Sequence, residues 1–123
     1  MRNNVNESME DYLETILTLS KTLPVVRSVD IANEMGFKKS SISVAMKAFR
    51  EKGYITVTES GYIYLTDAGL EIASSVYERH MTLRQCLINL GVPEEIADED
   101  ACKMEHIISE ESYSAIKKLL DVK

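Results

Sequence analysis

The sequence predicts a mainly α fold: an N-terminal winged helix-turn-helix with a two-stranded wing, followed by an α-helical domain. Three observations lead there. Two short stretches with helical apolar spacing, between residues 28 and 52, flank Gly36, which supplies the tight turn of a helix-turn-helix. Tyr54-Ile55-Thr56-Val57 and Tyr62-Ile63-Tyr64-Leu65 are β-rich runs separated by Thr58-Glu59-Ser60-Gly61, the pattern of a hairpin. From Thr66 onward the apolar residues recur with helical period.

Each element has its own signals. Ser8-Met9-Glu10-Asp11 resembles a capping box and opens a first helix at about 7–20, with Met9, Tyr12, Leu13, Ile16, Leu17 and Leu19 along its apolar stripe. Asp11 and Glu14 lie beside that stripe, where acids are also favoured simply by the helix dipole. Thr22-Leu23-Pro24 breaks the helix. Ser28 caps a second helix, Val29 to Met35, with Val29, Ile31, Ala32 and Met35 inward, and Gly36 ends it. A third helix starts at Lys38-Lys39-Ser40-Ser41 and runs to about Lys52, with Ile42, Val44, Ala45, Ala48 and Phe49 as its apolar positions. Thr66-Asp67 caps a long fourth helix, about 67–89, whose stripe includes Leu70, Ile72, Ala73, Val76, Tyr77, His80, Leu83, Leu87 and Leu90. Pro93-Glu94-Glu95 opens a fifth helix, about 93–107, and Ser109 caps a sixth, about 109–120, with Tyr113, Ile116, Leu119 and Leu120 apolar. The division expected is a winged-helix domain over 1–66 and a helical domain over 67–123.

Composition narrows the function. With 123 residues, 45% hydrophobic and 28% charged, the chain is a soluble globular protein large enough for a proper core. No run of about 18 apolar residues spans a membrane, and the N-terminus lacks the apolar stretch of a signal peptide. Two cysteines are too few to staple a secreted fold, which points to the reducing cytoplasm. The net charge of −6 argues against a generic polyanion binder, but it is unevenly spread: residues 1–60 hold 8 Lys+Arg and 8 Asp+Glu, residues 61–123 hold 6 and 12. The third helix is a local basic patch, with Lys38, Lys39, Lys47, Arg50 and Lys52 against Glu51 alone. Ser40, Ser41 and Ser43 add hydroxyl donors in its first turn, where N–H groups favour phosphate oxygens. Such a helix can enter a major groove, with Lys39, Ser40, Ser43 and Lys47 as candidates for the base-reading face. The wing tip carries Glu59 and no Lys or Arg, so it offers phosphate little attraction.

A second constellation lies at Cys102-Lys103-Met104-Glu105-His106. On a helix, residues three and four apart share a face, so Cys102 would converge with Glu105 and His106. A thiolate, a carboxylate and an imidazole are donors for a divalent transition metal. The same residues also fit a half-buried helix with a small apolar Cys and an exposed Glu-His pair. His80 alone reads as structural, and Cys86 as an inert core thiol.

Together these pieces resemble the diphtheria-toxin-repressor family of metal-dependent transcriptional repressors, which includes iron-dependent repressors and manganese transport regulators. The resemblance covers about 7–120 and rests on Ser8-Met9-Glu10-Asp11-Tyr12-Leu13-Glu14, Leu65-Thr66-Asp67-Ala68-Gly69 after the wing, Arg79-His80, and Cys102 to His106. It implies a winged helix that binds double-stranded operator DNA, a helical domain that forms a homodimer, and divalent metal held between the first helix and that domain. It also implies the ligands: Asp11 and Glu14 match carboxylates of the manganese regulators, His80 a ligand of the fourth helix, and Glu105 and His106 the pair of the fifth. Cys102 matches the iron-type repressors, where manganese regulators have Glu, whereas Asp11 and Glu14 do not match the iron type. Arg84 stands where the iron type's ancillary site has a carboxylate. The chain is similar to the short members without a carboxy-terminal SH3-like domain.

The implied primary site is Asp11, Cys102, Glu105 and His106, with Glu14 and His80 completing a second. Carboxylates and imidazoles suit Mn(II) or Fe(II), while the thiolate pulls toward Fe(II), Zn(II) or Co(II). The function this implies is a repressor, not an enzyme, controlling metal uptake genes when metal-loaded. Two alternatives stand beside it: a winged-helix regulator sensing an oxidant or small molecule through Cys86 or Cys102, and a helical metal-carboxylate enzyme. The latter lacks the paired Glu-x-x-His signature.

Overall fold

The computed structural model describes residues 4–121, and side chains from Ser8 to Leu120. Among the described residues the order is α1 (Asn4–Thr22), α2 (Ser28–Met35), α3 (Lys39–Glu51), β1 (Ile55–Val57), β2 (Ile63–Leu65), α4 (Asp67–Asn89), α5 (Glu94–Met104) and α6 (Glu110–Asp121). The winged-helix order expected from the sequence is present. No helix among the described residues is long and apolar enough to cross a membrane. The chain divides into two compact units: Ser8–Ser74, and Ser75 onward together with the first turn of α1. The division falls within α4.

The first unit is built around α1. Tyr12, Leu13 and Ile16 are buried there with Ile31 of α2, Ile42 of α3 and Ile55 of β1. The Tyr12 ring packs edge-on to Phe49 at 5.4 Å and tilted to Phe37 at 5.9 Å, and burial raises its hydroxyl pKa by desolvation. α1 starts at Asn4, so Ser8 lies inside the helix and does not cap it. Ser28 is likewise the first residue of α2; the cap is Arg27, whose backbone N–H donates to Asp30 Oδ2 at 2.9 Å. Gly36 ends α2 with φ 71°, a left-handed conformation that turns the chain into α3 without Cβ strain.

α3 buries Ile42 and Phe49 and packs Ala45 and Ala48 against the core as expected, but Met46 takes the inward place expected of Val44. Ile42, Met46 and Phe49, spaced four and three apart, are its buried residues, whereas Val44 is 72% exposed. Val44 lies two residues from both Ile42 and Met46, on the opposite side of the helix. Val29, Leu70, Leu90 and Leu119, also expected on apolar stripes, are exposed.

The wing is an antiparallel pair with Ile55 opposite Leu65, Thr56 opposite Tyr64 and Val57 opposite Ile63. Thr58 closes its turn: the Thr58 N–H donates to Tyr62 O at 3.0 Å and its Oγ1 accepts from the Tyr62 N–H at 3.0 Å. The Ile63 N–H donates to Val26 O at 2.8 Å, tying the wing to the segment before α2. Thr66 caps α4 as expected, accepting from the Gly69 N–H at 3.2 Å while donating to Gly53 O at 2.6 Å.

The second unit packs α5 and α6 on α4. Val76, Leu83, Ala97, Ala101 and Tyr113 are buried. The Thr82 hydroxyl meets the Tyr113 hydroxyl at 3.3 Å, and Lys117 pairs with Glu78. Ser109 caps α6, its Oγ accepting from the Ser112 N–H at 3.1 Å. Cys86, expected in the core, is half-buried.

Gly69 is where backbones approach most closely. A Cβ there would lie 2.0 Å from the Tyr54 carbonyl oxygen, which also accepts from the Thr66 N–H at 3.0 Å. Gly69→Ala should therefore destabilise the protein by about 1–3 kcal/mol, despite the helix propensity of Ala. Thermal unfolding of the two proteins checks this, and an unchanged midpoint contradicts it.

Candidate metal centre and nucleic-acid interface

A carboxyl group is buried in the second unit. Glu105 is 0% exposed, and neither carboxylate oxygen has a hydrogen-bond partner. Two imidazoles face it: His80 Nδ1 lies 3.3 Å from Oε2, and His106 Nε2 lies 3.4 Å from Oε1. Cys102 Sγ lies within 4.8 Å of a Glu105 oxygen. An ionised carboxylate without donors is costly in a protein interior. Nitrogen, oxygen and sulfur donors around that carboxylate are what a divalent cation requires, so the residues present fit a metal.

The local fold explains how these side chains meet. α5 ends at Met104, so Glu105 and His106 occupy the turn after the helix and not, as expected, its continuing face. Glu105 keeps helical backbone angles, and its N–H donates to Ala101 O at 3.0 Å. The turn is held by Arg79, a buried residue of α4. Its guanidinium donates to Glu105 O at 3.4 Å and Ile108 O at 3.2 Å, pairs with Glu110, and sits 5.2 Å over the Tyr113 ring. One fixed cation thus serves two carbonyls of the turn between α5 and α6.

His80 is also held from its other side. Its Nε2 is 2.8 Å from Asp98 Oδ1, and Arg84 reaches the same oxygen at 3.3 Å and Glu94 Oε1 at 2.5 Å. Nothing in the sequence singles out Asp98, one of five acids in residues 94–100. In the first unit, Asp11 and Glu14 lie three residues apart on α1, both half-buried.

The second candidate surface is on α3. Lys38, the N-cap residue, and Lys39, Ser40, Ser41, Ser43 and Lys47 are all exposed. Ser40, Ser43 and Lys47 fall on one helical face, and Val44 joins them there. That face combines hydroxyls, an ammonium group and an apolar side chain, the chemistry that meets acceptors and thymine methyls in a major groove.

A winged helix with a basic second helix, followed by a helical unit carrying such a donor cluster, describes a metal-responsive DNA-binding regulator. Comparison with known proteins agrees. Residues 4–62 match the model of the iron-dependent repressor N-terminal DNA-binding domain, and residues 66–122 that of the iron-dependent repressor metal-binding and dimerisation domain. The chain is 30% identical over 119 residues to an uncharacterised helix-turn-helix-type transcriptional regulator of Methanocaldococcus jannaschii, covering 95% of each. It is 33% identical over 111 residues to the transcriptional regulator MntR of Escherichia coli, covering 90% of this chain and 72% of that one. A solved manganese-dependent transcriptional repressor in complex with manganese superposes with a TM-score of 0.85 at 26% identity, covering 94% of this chain and 53% of that one. The chain spans about half the length of that solved protein. This chain belongs to the iron-dependent repressor family, the diphtheria-toxin-repressor group that its motifs resemble. The family is one of transcriptional repressors and not of enzymes, and membership favours neither the thiol-sensing regulator nor the metal-carboxylate enzyme.

If charge burial dominates at Glu105, Glu105→Gln should raise the stability of the metal-free protein, by about 1–3 kcal/mol. It should also remove any stabilisation by added metal. Melting curves in chelator and in Mn(II) check both; a metal-free midpoint below that of the wild type contradicts the first.

Proposed function

We propose that the protein is a cytoplasmic repressor that binds operator DNA as a homodimer when loaded with a divalent transition metal, and so controls metal uptake genes. DNA recognition is assigned to residues 1–66, and metal binding with dimerisation to residues 67–123. The observation that carries this reading is the Glu105 carboxylate, buried without hydrogen bonds between two imidazoles.

The proposed ligands are Asp11, Cys102, Glu105 and His106 for the primary site, with Glu14 and His80 completing a second. Mn(II) or Fe(II) is favoured over Zn(II) or Co(II), because carboxylates and imidazoles outnumber the thiol. The manganese complex of the solved relative supports that order. On the DNA side, Lys38 and Ser41 are assigned to phosphates, and Lys39, Ser40, Ser43 and Lys47 to the groove-facing surface.

The mechanism is linkage. A bound divalent ion would supply positive charge to the carboxylates of the proposed ligand set. Ligands drawn both from α1 and from α4 and α5 then favour conformations in which they can act together. Those conformations set the spacing of the two α3 helices in a dimer, which must match successive major grooves. Metal and operator therefore strengthen each other's binding by the same factor.

Operator binding measured with Mn(II), with Fe(II) under anaerobic conditions, and with chelator tests the switch. Affinity should rise at least about tenfold with metal, a coupling of about 1.4 kcal/mol or more; equal affinity in all three conditions rules the mechanism out. Lys47→Ala should weaken operator binding by about 1–3 kcal/mol and relax discrimination at the base pair it faces, while leaving metal affinity in the absence of DNA unchanged. Unaltered affinity and discrimination would remove Lys47 from the interface.

A further inference from the structure

We infer that Asp98, gripped by Arg84, is a positioning residue that fixes the His80 imidazole with its proton on Nε2 and its Nδ1 lone pair turned to Glu105. This rests on the metal-centre reading for its purpose, though not for its geometry.

The two ring nitrogens of His80 face two different carboxylates. Nε2 stands 2.8 Å from Asp98 Oδ1, a hydrogen-bond distance, whereas Nδ1 stands 3.3 Å from Glu105 Oε2, which accepts no hydrogen bond. A neutral imidazole carries one N–H and one lone pair. Hydrogen-bond geometry therefore puts the proton on Nε2, donating to Asp98. Nδ1 is then the ring nitrogen turned to Glu105, available to a cation.

Asp98 needs an anchor to do this, because its side chain is 57% exposed. Arg84 provides one. Its Nε is 3.3 Å from the Oδ1 that accepts from His80, and its terminal nitrogen is 2.5 Å from Glu94. Glu94 and Asp98 are four apart on α5 and hold the guanidinium together. The fixed positive charge beside Nε2 also closes that side of the ring to a metal. His80 is left with one coordinating nitrogen, Nδ1. Carboxylates commonly orient metal-binding histidines in this way and raise their basicity.

The chain has only two histidines, so imidazole 15N correlations of the whole metal-free protein resolve each tautomer. Wild-type His80 should carry its proton on Nε2. Asp98→Ala should give a mixture with protonated Nδ1, and Mn(II) affinity by titration calorimetry should fall about tenfold or more, whereas Asp98→Asn, whose amide oxygen still accepts, should keep the tautomer and stay within about threefold. Arg84→Gln should loosen the same tautomer preference and gives a second route if Asp98→Ala folds poorly. Protonated Nδ1 in the wild type, or an Asp98→Ala protein with unchanged tautomer and affinity, overturns the inference. Wild type that shows the Asp98-dependent tautomer but binds no Mn(II) supports the positioning role and overturns the metal-centre reading instead.

Discussion

The second unit depends on how one buried guanidinium is used. Arg79 donates to the carbonyls of Glu105 and Ile108 at the end of α5, pairs with Glu110 at the start of α6, and lies over Tyr113. It thereby joins three helices at the turn that carries the candidate ligands. A turn after a helix is ordinarily among the more mobile parts of a fold, since its carbonyls lack intrahelical partners. Here those carbonyls are satisfied by a group fixed on a different helix. Arg79 and His80 are adjacent in sequence on α4, so the residue that holds the turn and the residue that faces its carboxylate share one backbone. Displacement of one moves the other.

That arrangement separates two kinds of charge. Arg79 is buried but fully employed, by hydrogen bonds, an ion pair and an aromatic face. Glu105 is buried deeper, and its carboxylate accepts no hydrogen bond although two imidazoles stand beside it. Evenly satisfied interiors are the general rule, and the metal site proposed at Glu105 would account for this contrast. The same contrast appears along the surface of α4, where Arg84 binds Glu94 and Asp98 while His80 takes its place between Asp98 and Glu105.

Much of the architecture was legible in the sequence because each element carries a local signal. Gly36, Thr66 and Ser109 bound helices where the sequence says they should, and the two β-rich runs pair as a wing. What was not legible depended on which side of a helix meets its neighbours. Val44 and Met46 are both apolar and two residues apart, and only packing against Ile42 and Phe49 decides that Met46 goes inside. The same ambiguity placed Leu90 and Leu119 on stripes that turned out exposed. At the candidate site, Cys102, Glu105 and His106 were visible because their types and spacing are chemically unusual. Asp98 was not, since an acid among acids on α5 gains meaning only from the His80 nitrogen beside it.

Cys102 bears on how strongly such a centre can drive a switch. Within the proposed ligand set, a carboxylate in its place would add one more negative charge to Asp11, Glu14 and Glu105. A thiol, with an ordinary pKa of about 8.5, is mostly neutral at pH 7 and adds none. The metal-free state is then less repelled, so less repulsion remains for a cation to offset. Thiolate coordination requires the proton to leave, which makes metal binding more pH-dependent than a carboxylate in that position would. A softer donor also favours Fe(II), Co(II) or Zn(II) relative to Mn(II). Cys102 is exposed and sits at the last turn of α5, where that proton can pass to solvent. Within the proposed site, a thiol in place of a carboxylate would therefore bear on three properties together: the charge of the metal-free state, the pH at which metal loads, and the ion preferred.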